Sequence, residues 1–172
     1  MENSEIKSGI EKAGEDLLSF AIDREDVKWL LERLPPEADI KRTTVEYELQ
    51  ILKIIGVGWS ISYYLADSPQ KNVLLKLYWD AINEFSRDLT KTMEYLIGQD
   101  IDYFQVLKDR LNLYVDAMAE RPDAPEPAEV IGRQFSINCG NEKDIFTFMT
   151  GSKMFISATS KIKQYLEAIK LR

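Results

Sequence analysis

Apolar residues recur at helical spacing along almost the whole chain, and they are densest between Leu49 and Ala66. Val45, Leu49, Leu52, Ile55, Gly56, Trp59 and Tyr63 follow one helix face. After Ile54 the rest of the circumference fills as well, with Val57, Ile61, Tyr64 and Leu65. A helix that is apolar all round is buried on all sides. The pattern therefore predicts a central helix over about 40–66, wrapped by other helices. Lys53 is its one charge between Leu49 and Ala66. Without Lys53 the apolar run falls short of the ~20 residues a bilayer requires, so the stretch reads as a core helix and not a membrane span.

The remaining elements follow from the same spacing. Ser4 reads as the cap of a first helix with Ile6, Ile10, Ala13, Leu17 and Phe20 on one face. Asp23 reads as the cap of a short second helix carrying Val27, Leu30, Leu31 and Leu34, unless the two are one bent helix. Pro35 and Pro36 stop it. Ser68 and Pro69 suit the cap and first position of a helix reaching Ile97, with Gly98 as its C-terminal cap. Its stripe is Val73, Leu74, Leu77, Tyr78, Ala81, Ile82, Phe85, Leu89, Met93 and Leu96.

Asp100 is expected to cap a fifth helix to about Ala119, with Phe104, Leu107, Leu111, Tyr114, Val115 and Met118 as its core face. Three prolines make Arg121–Pro127 a stiff loop. A short helix over Pro127–Asn138 and a long last one from Asn141 to about Lys170 complete the chain. The last carries Phe148, Ser152, Phe155, Thr159, Ile162, Leu166 and Ile169, and Gly151 is a candidate kink. Only Phe135–Cys139 resembles a strand, and it lacks a partner. The fold expected is all-α: one elongated bundle of five to seven helices, a single domain over 1–172. On the central helix Gly56 with Ser60, and Gly58 with Ser62, are small residues four apart, which would admit close neighbours.

At 172 residues the chain fits one domain with its own core. Its net charge of −7 divides as −6 over residues 1–40, −4 over 41–139 and +3 over 140–172. An acidic chain without a basic block is a poor nucleic-acid binder. The acidic, polar N-terminus does not read as a signal peptide. The single cysteine, Cys139, excludes an internal disulfide. A cytoplasmic setting is expected, with no membrane and no nucleic acid as partner.

Histidine is absent, and that removes much chemistry. A Ser-His-Asp triad, a Cys-His pair and a His-containing zinc or di-iron site are all excluded. No glycine-rich phosphate loop is present. Asp80, Glu84 and Asp88 lie four apart, a spacing an oxygen-ligated cation or an acid–base pair would use. Arg87 and Lys91 nearby make ordinary surface pairing the simpler account. No catalytic residue, metal or cofactor is assigned.

The aromatic residues carry the remaining candidates. Trp59, Tyr63 and Tyr64 are placed to face Tyr78, Trp79 and Phe85 across the helix hairpin. Trp59, Tyr63, Tyr64 and Tyr78 are the candidate ligand-binding set, with plain core packing as the competing account and Trp59 expected almost wholly buried. Trp79 lies off its stripe, and Val106 and Leu113 lie opposite the core face of their helix. These three are the candidate homodimer surface. Three functions follow: a non-catalytic interaction protein, as a homodimer or with a protein partner; a small-molecule binder or sensor with an aromatic pocket; and an enzyme using carboxylates or an oxygen-ligated metal.

Overall fold

The computed structural model describes residues 2–36 and 40–171, with side chains from Gly9 onward. They form seven helices and no strand: α1 (Glu2–Ile22), α2 (Glu25–Glu32), α3 (Arg42–Tyr64), α4 (Lys71–Ile97), α5 (Tyr103–Glu120), α6 (Pro127–Asn138) and α7 (Ile145–Ala168). The protein is an all-α helical bundle. At ~1.5 Å per residue, α3, α4 and α7 are each about 35–40 Å long. No helix among the described residues is long and apolar enough to cross a membrane.

α3 is the centre of the bundle and touches each of the other six helices. Leu49, Ile51, Leu52, Ile54, Val57 and Ile61 are wholly buried along it. Each such side chain contributes roughly 1.5–3 kcal/mol relative to exposure. α7 lies close against α3, where Gly56 faces Ala158 and Phe155. α6 packs tightly on α7 because two glycines make room. The carbonyl of Phe148 stands 2.8 Å from where a Cβ on Gly132 would be, and the ring of Phe135 fills the space beside Gly151. α7 runs through Gly151 without a break, so that glycine serves packing instead of the expected kink.

The polar residues of α3 answer the ends of its neighbours. Gln50 Nε2 donates to the carbonyl of Ala21 at 2.6 Å, and Lys53 Nζ to that of Asp23 at 2.8 Å. Ala21 lies in the last turn of α1 and Asp23 just past its end, where helical partners run out. Lys53 also lies 3.5 Å from Asp26, which Lys161 of α7 meets at 2.9 Å. Arg42 caps the end of α2 through the carbonyls of Leu31 and Leu34. The α1–α2 corner is thereby fixed to α3 and α7.

Several boundaries differ from expectation, mostly because more than one short polar residue was available as a cap. α1 is already helical before Ser4, and the side chain of Ile6 lies outside the described residues. α1 and α2 are separate helices; Asp23 Oδ1 accepts from Glu25 N across the break. Ser68 organises a turn, accepting from Gln70 N, and α4 begins at Lys71. Asp102 caps α5 in place of Asp100, and Asp144 caps α7 in place of Asn141. Gly98 closes α4 in the left-handed region, φ 64°, as predicted. Val73, Leu96 and Val115, expected in apolar stripes, are exposed, whereas Tyr103 is buried.

Candidate functional site

A cavity of about 280 Å³ opens where the α1–α2 corner meets α3, α4 and the start of α5. α4 supplies Phe85, Leu89 and Met93, four residues apart and therefore in one row. α3 supplies Tyr47 and Gln50, and Ile22 closes the end of α1. Ile101 and Tyr103 complete the wall. Their position is set locally: Asp102 Oδ1 accepts from Gln105 N at 3.0 Å, and Tyr103 N donates to Thr90 Oγ1 at 3.3 Å. The rings of Tyr47 and Tyr103 meet edge to face at 6.1 Å. At the mouth Arg24 and Glu46 form an ion pair.

The polar groups of this wall bind better than they react. Burial, then the charge of Tyr47, holds the Tyr103 phenol far above its ordinary value. Burial, then the charge of Glu48, raises Tyr47. Both stay neutral near pH 7. Gln50 is nine-tenths buried, with Nε2 committed to Ala21 and Oε1 buried without a partner.

The residues singled out from sequence do not form this wall. Trp59 stacks on Tyr63, centroids 4.7 Å apart at 12°, and Tyr64 stands edge-on to both. Phe155 of α7 supports Trp59 at 5.3 Å. Tyr63 is 62% exposed and Trp59 only partly buried, so the stack faces outward; the near-complete burial expected of Trp59 is not found. Tyr78 is elsewhere, wholly buried, its hydroxyl donating to the carbonyl of Ile54 at 2.7 Å. The structure thus joins three of the four ligand candidates and separates the fourth.

The three interface candidates also divide. Trp79 lies over Gly58 within the same chain and meets Tyr78 edge to face. Val106 is partly buried against the core, and Leu113 alone is exposed. The carboxylate row is a solvated flank: Asp80, Glu84 and Asp88 are all exposed, and Asp80 pairs with Lys76 at 2.5 Å. Among the described residues no group of three or more Cys, Asp or Glu is placed to hold a metal ion.

Two further features were not found from sequence. Glu48 is buried on α3 and receives Arg110 of α5 at 2.7–3.1 Å through Nε and one Nη. Burial, then the charge of Glu48, pushes the nearby Cys139 thiol up to about 12. On the outer face of α7, Ile145, Met149 and Ile156 are exposed. Their spacing puts them within about 40° of one another around the helix. Trp29 of α2 shares a groove with Ile156. The usable signal for the cavity was polar residues, Gln50 above all, in an otherwise apolar helix pattern. For the α7 row it was a second apolar spacing beside the core stripe.

No protein-family model, curated protein sequence or solved structure matches this chain.

Proposed function

We propose that this protein acts non-catalytically in the cytoplasm, by associating through its helical surface, with a second copy of the chain as the simplest partner. The observation that carries the reading is the row Ile145, Met149 and Ile156, continued by Trp29 across the α2–α7 groove. Single exposed apolar residues are ordinary, but an aligned row flanked by a half-exposed tryptophan is the kind of patch that association covers. Lys153, Lys161 and Asp26 border it, giving the charged rim of both signs that a twofold contact uses twice. A lone cysteine fits a reducing compartment.

Sedimentation equilibrium tests the reading. Twice the chain mass is expected at micromolar concentration, with Ile156→Asp returning a monomer of unchanged helical circular dichroism. Leu113→Glu is the contrasting variant: it splits a dimer built on α5 and spares one built on α7. A single-chain mass at every accessible concentration rules out self-association.

A further inference from the structure

We propose that the cavity at the α1–α2 corner binds the unbranched alkyl chain of an uncharged single-chain molecule, such as a primary alcohol. This is independent of the association surface on α7. The apolar stripe of α4 carries the argument. It is closed over Leu74, Tyr78 and Ile82, which are wholly buried. Its next three turns present Phe85, Leu89 and Met93, which are only partly buried, and the cavity is the space left beside them. Covering such apolar surface is favourable. Water covers it poorly, because a water asks for two to four polar partners and this row offers none.

Shape selects the occupant. Phe85 and Met93 lie eight residues apart on one helix face, so the cavity follows α4 for about 12 Å. Its volume of about 280 Å³, spread over that length, leaves a channel about as wide as one alkyl chain. A fused or caged ring system is wider, and so is a lipid with two chains. With carbon–carbon bonds of about 1.5 Å at tetrahedral angles, an extended chain advances about 1.3 Å per carbon, so about nine carbons fill the channel. Charge selects the end group. Arg24 and Glu46 are the charged residues of the wall, and they pair with each other at the mouth. A charged end group would have to break that pair or go without a partner, and either costs free energy.

Primary alcohols from hexanol to dodecanol are the probes. Isothermal titration should show affinity rising about 4-fold per methylene, then levelling off at about nine or ten carbons, where the channel is full. Adamantan-1-ol has the carbon count of decanol in a compact cage, and nonanoate has the length of nonanol with a charge. Each should bind about 10-fold more weakly than its straight, neutral counterpart. Amide shifts on adding octanol should centre on Tyr47, Leu89, Thr90 and Tyr103. Leu89→Trp, which fills the channel, should abolish binding; if that variant fails to fold, the shift map locates the site instead. An affinity that climbs through dodecanol without levelling overturns the proposal, as does adamantan-1-ol or nonanoate binding as tightly as its counterpart. So does binding that survives in a folded Leu89→Trp protein, a shift map centred elsewhere, or no binding at millimolar octanol. Flotation with phosphatidylcholine vesicles overturns it too, since the chain would then come from a membrane lipid.

Discussion

The indole of Trp79 occupies the space that a side chain at Gly58 would need: a Cβ built there would stand 2.4 Å from its Cζ2. The ring is rigid and wedged beside Tyr78, so it has to be displaced. Gly58→Ala should therefore destabilise by roughly 1–3 kcal/mol through overpacking, exceeding the ~1 kcal/mol that alanine gains in helix propensity. Trp79→Leu in the Gly58→Ala background should be less harmful than in the parent. Urea titrations of the four proteins give the coupling; simple additivity would mean the two residues do not compete.

Gly56, two residues earlier, should respond with the opposite sign. Its nearest neighbour across the α3–α7 contact is Ala158, whose Cβ would lie 3.6 Å from an added Cβ, an ordinary contact. Gly56→Ala is expected to stabilise by about 0.5–1 kcal/mol, through helix propensity and a less flexible unfolded chain. Gly56→Leu should destabilise, since the extra atoms have to enter space held by Ala158 and Phe155. Thermal melts of both variants decide; a stable Gly56→Leu protein would show that α7 does not press on this face.

These two glycines show what the sequence could carry. Spacing alone identified α3 as the buried centre and marked Gly56 and Gly58 as points of close approach. It could not say that α7 covers one and a tryptophan the other, because that depends on how α3, α4 and α7 are rotated about their axes. Trp79 looked displaced from its stripe for the same reason: the stripe was defined without the hollow at Gly58. The aromatic candidates Trp59, Tyr63 and Tyr64 lie together without the Tyr78 expected opposite them, and a helix face is not a cavity. The cavity forms from Tyr47 on α3, Phe85 and Leu89 on α4 and Tyr103 on α5, three segments that lie far apart in sequence. Their meeting depends on tertiary contacts that no local pattern encodes.

The pair Glu48–Arg110 is a second such contact, joining residues 62 apart. Glu48 is almost wholly buried, and its carboxylate depends on the guanidinium for compensation. Arg110→Met should cost about 3–5 kcal/mol, because it leaves an unpaired buried charge. Adding Glu48→Leu should restore most of the loss, since replacing both partners removes the charge as well as the pair. Denaturant midpoints of the two single variants and the double variant test this. A loss below about 1 kcal/mol for Arg110→Met would show that water reaches Glu48.

Asp26 should give the α1–α2 corner an acid-sensitive contribution to stability. Burial alone would raise its carboxyl, but the hydrogen bond from Lys161 and the charges of Lys53 and Lys161 outweigh it, so the value lies below the ordinary one. A carboxyl depressed in the folded state binds its proton more readily in the unfolded chain. Its stabilising contribution is therefore complete above the unfolded value, about 3.9, and is lost as the pH falls through the lower folded value. Lys53 behaves differently: burial, partly offset by Asp26, lowers its ammonium, so its unfavourable contribution fades as the pH rises through the lowered value and deprotonation relieves the buried charge. Asp26→Asn should lower the urea midpoint at pH 6, where Lys53 and Lys161 lose their counter-charge. It should also make the acid side of the stability curve shallower than the parent's. Identical acid slopes for the two proteins would mean that Asp26 titrates alike in the folded and unfolded chains, and that Lys53 is held by the carbonyl of Asp23 alone.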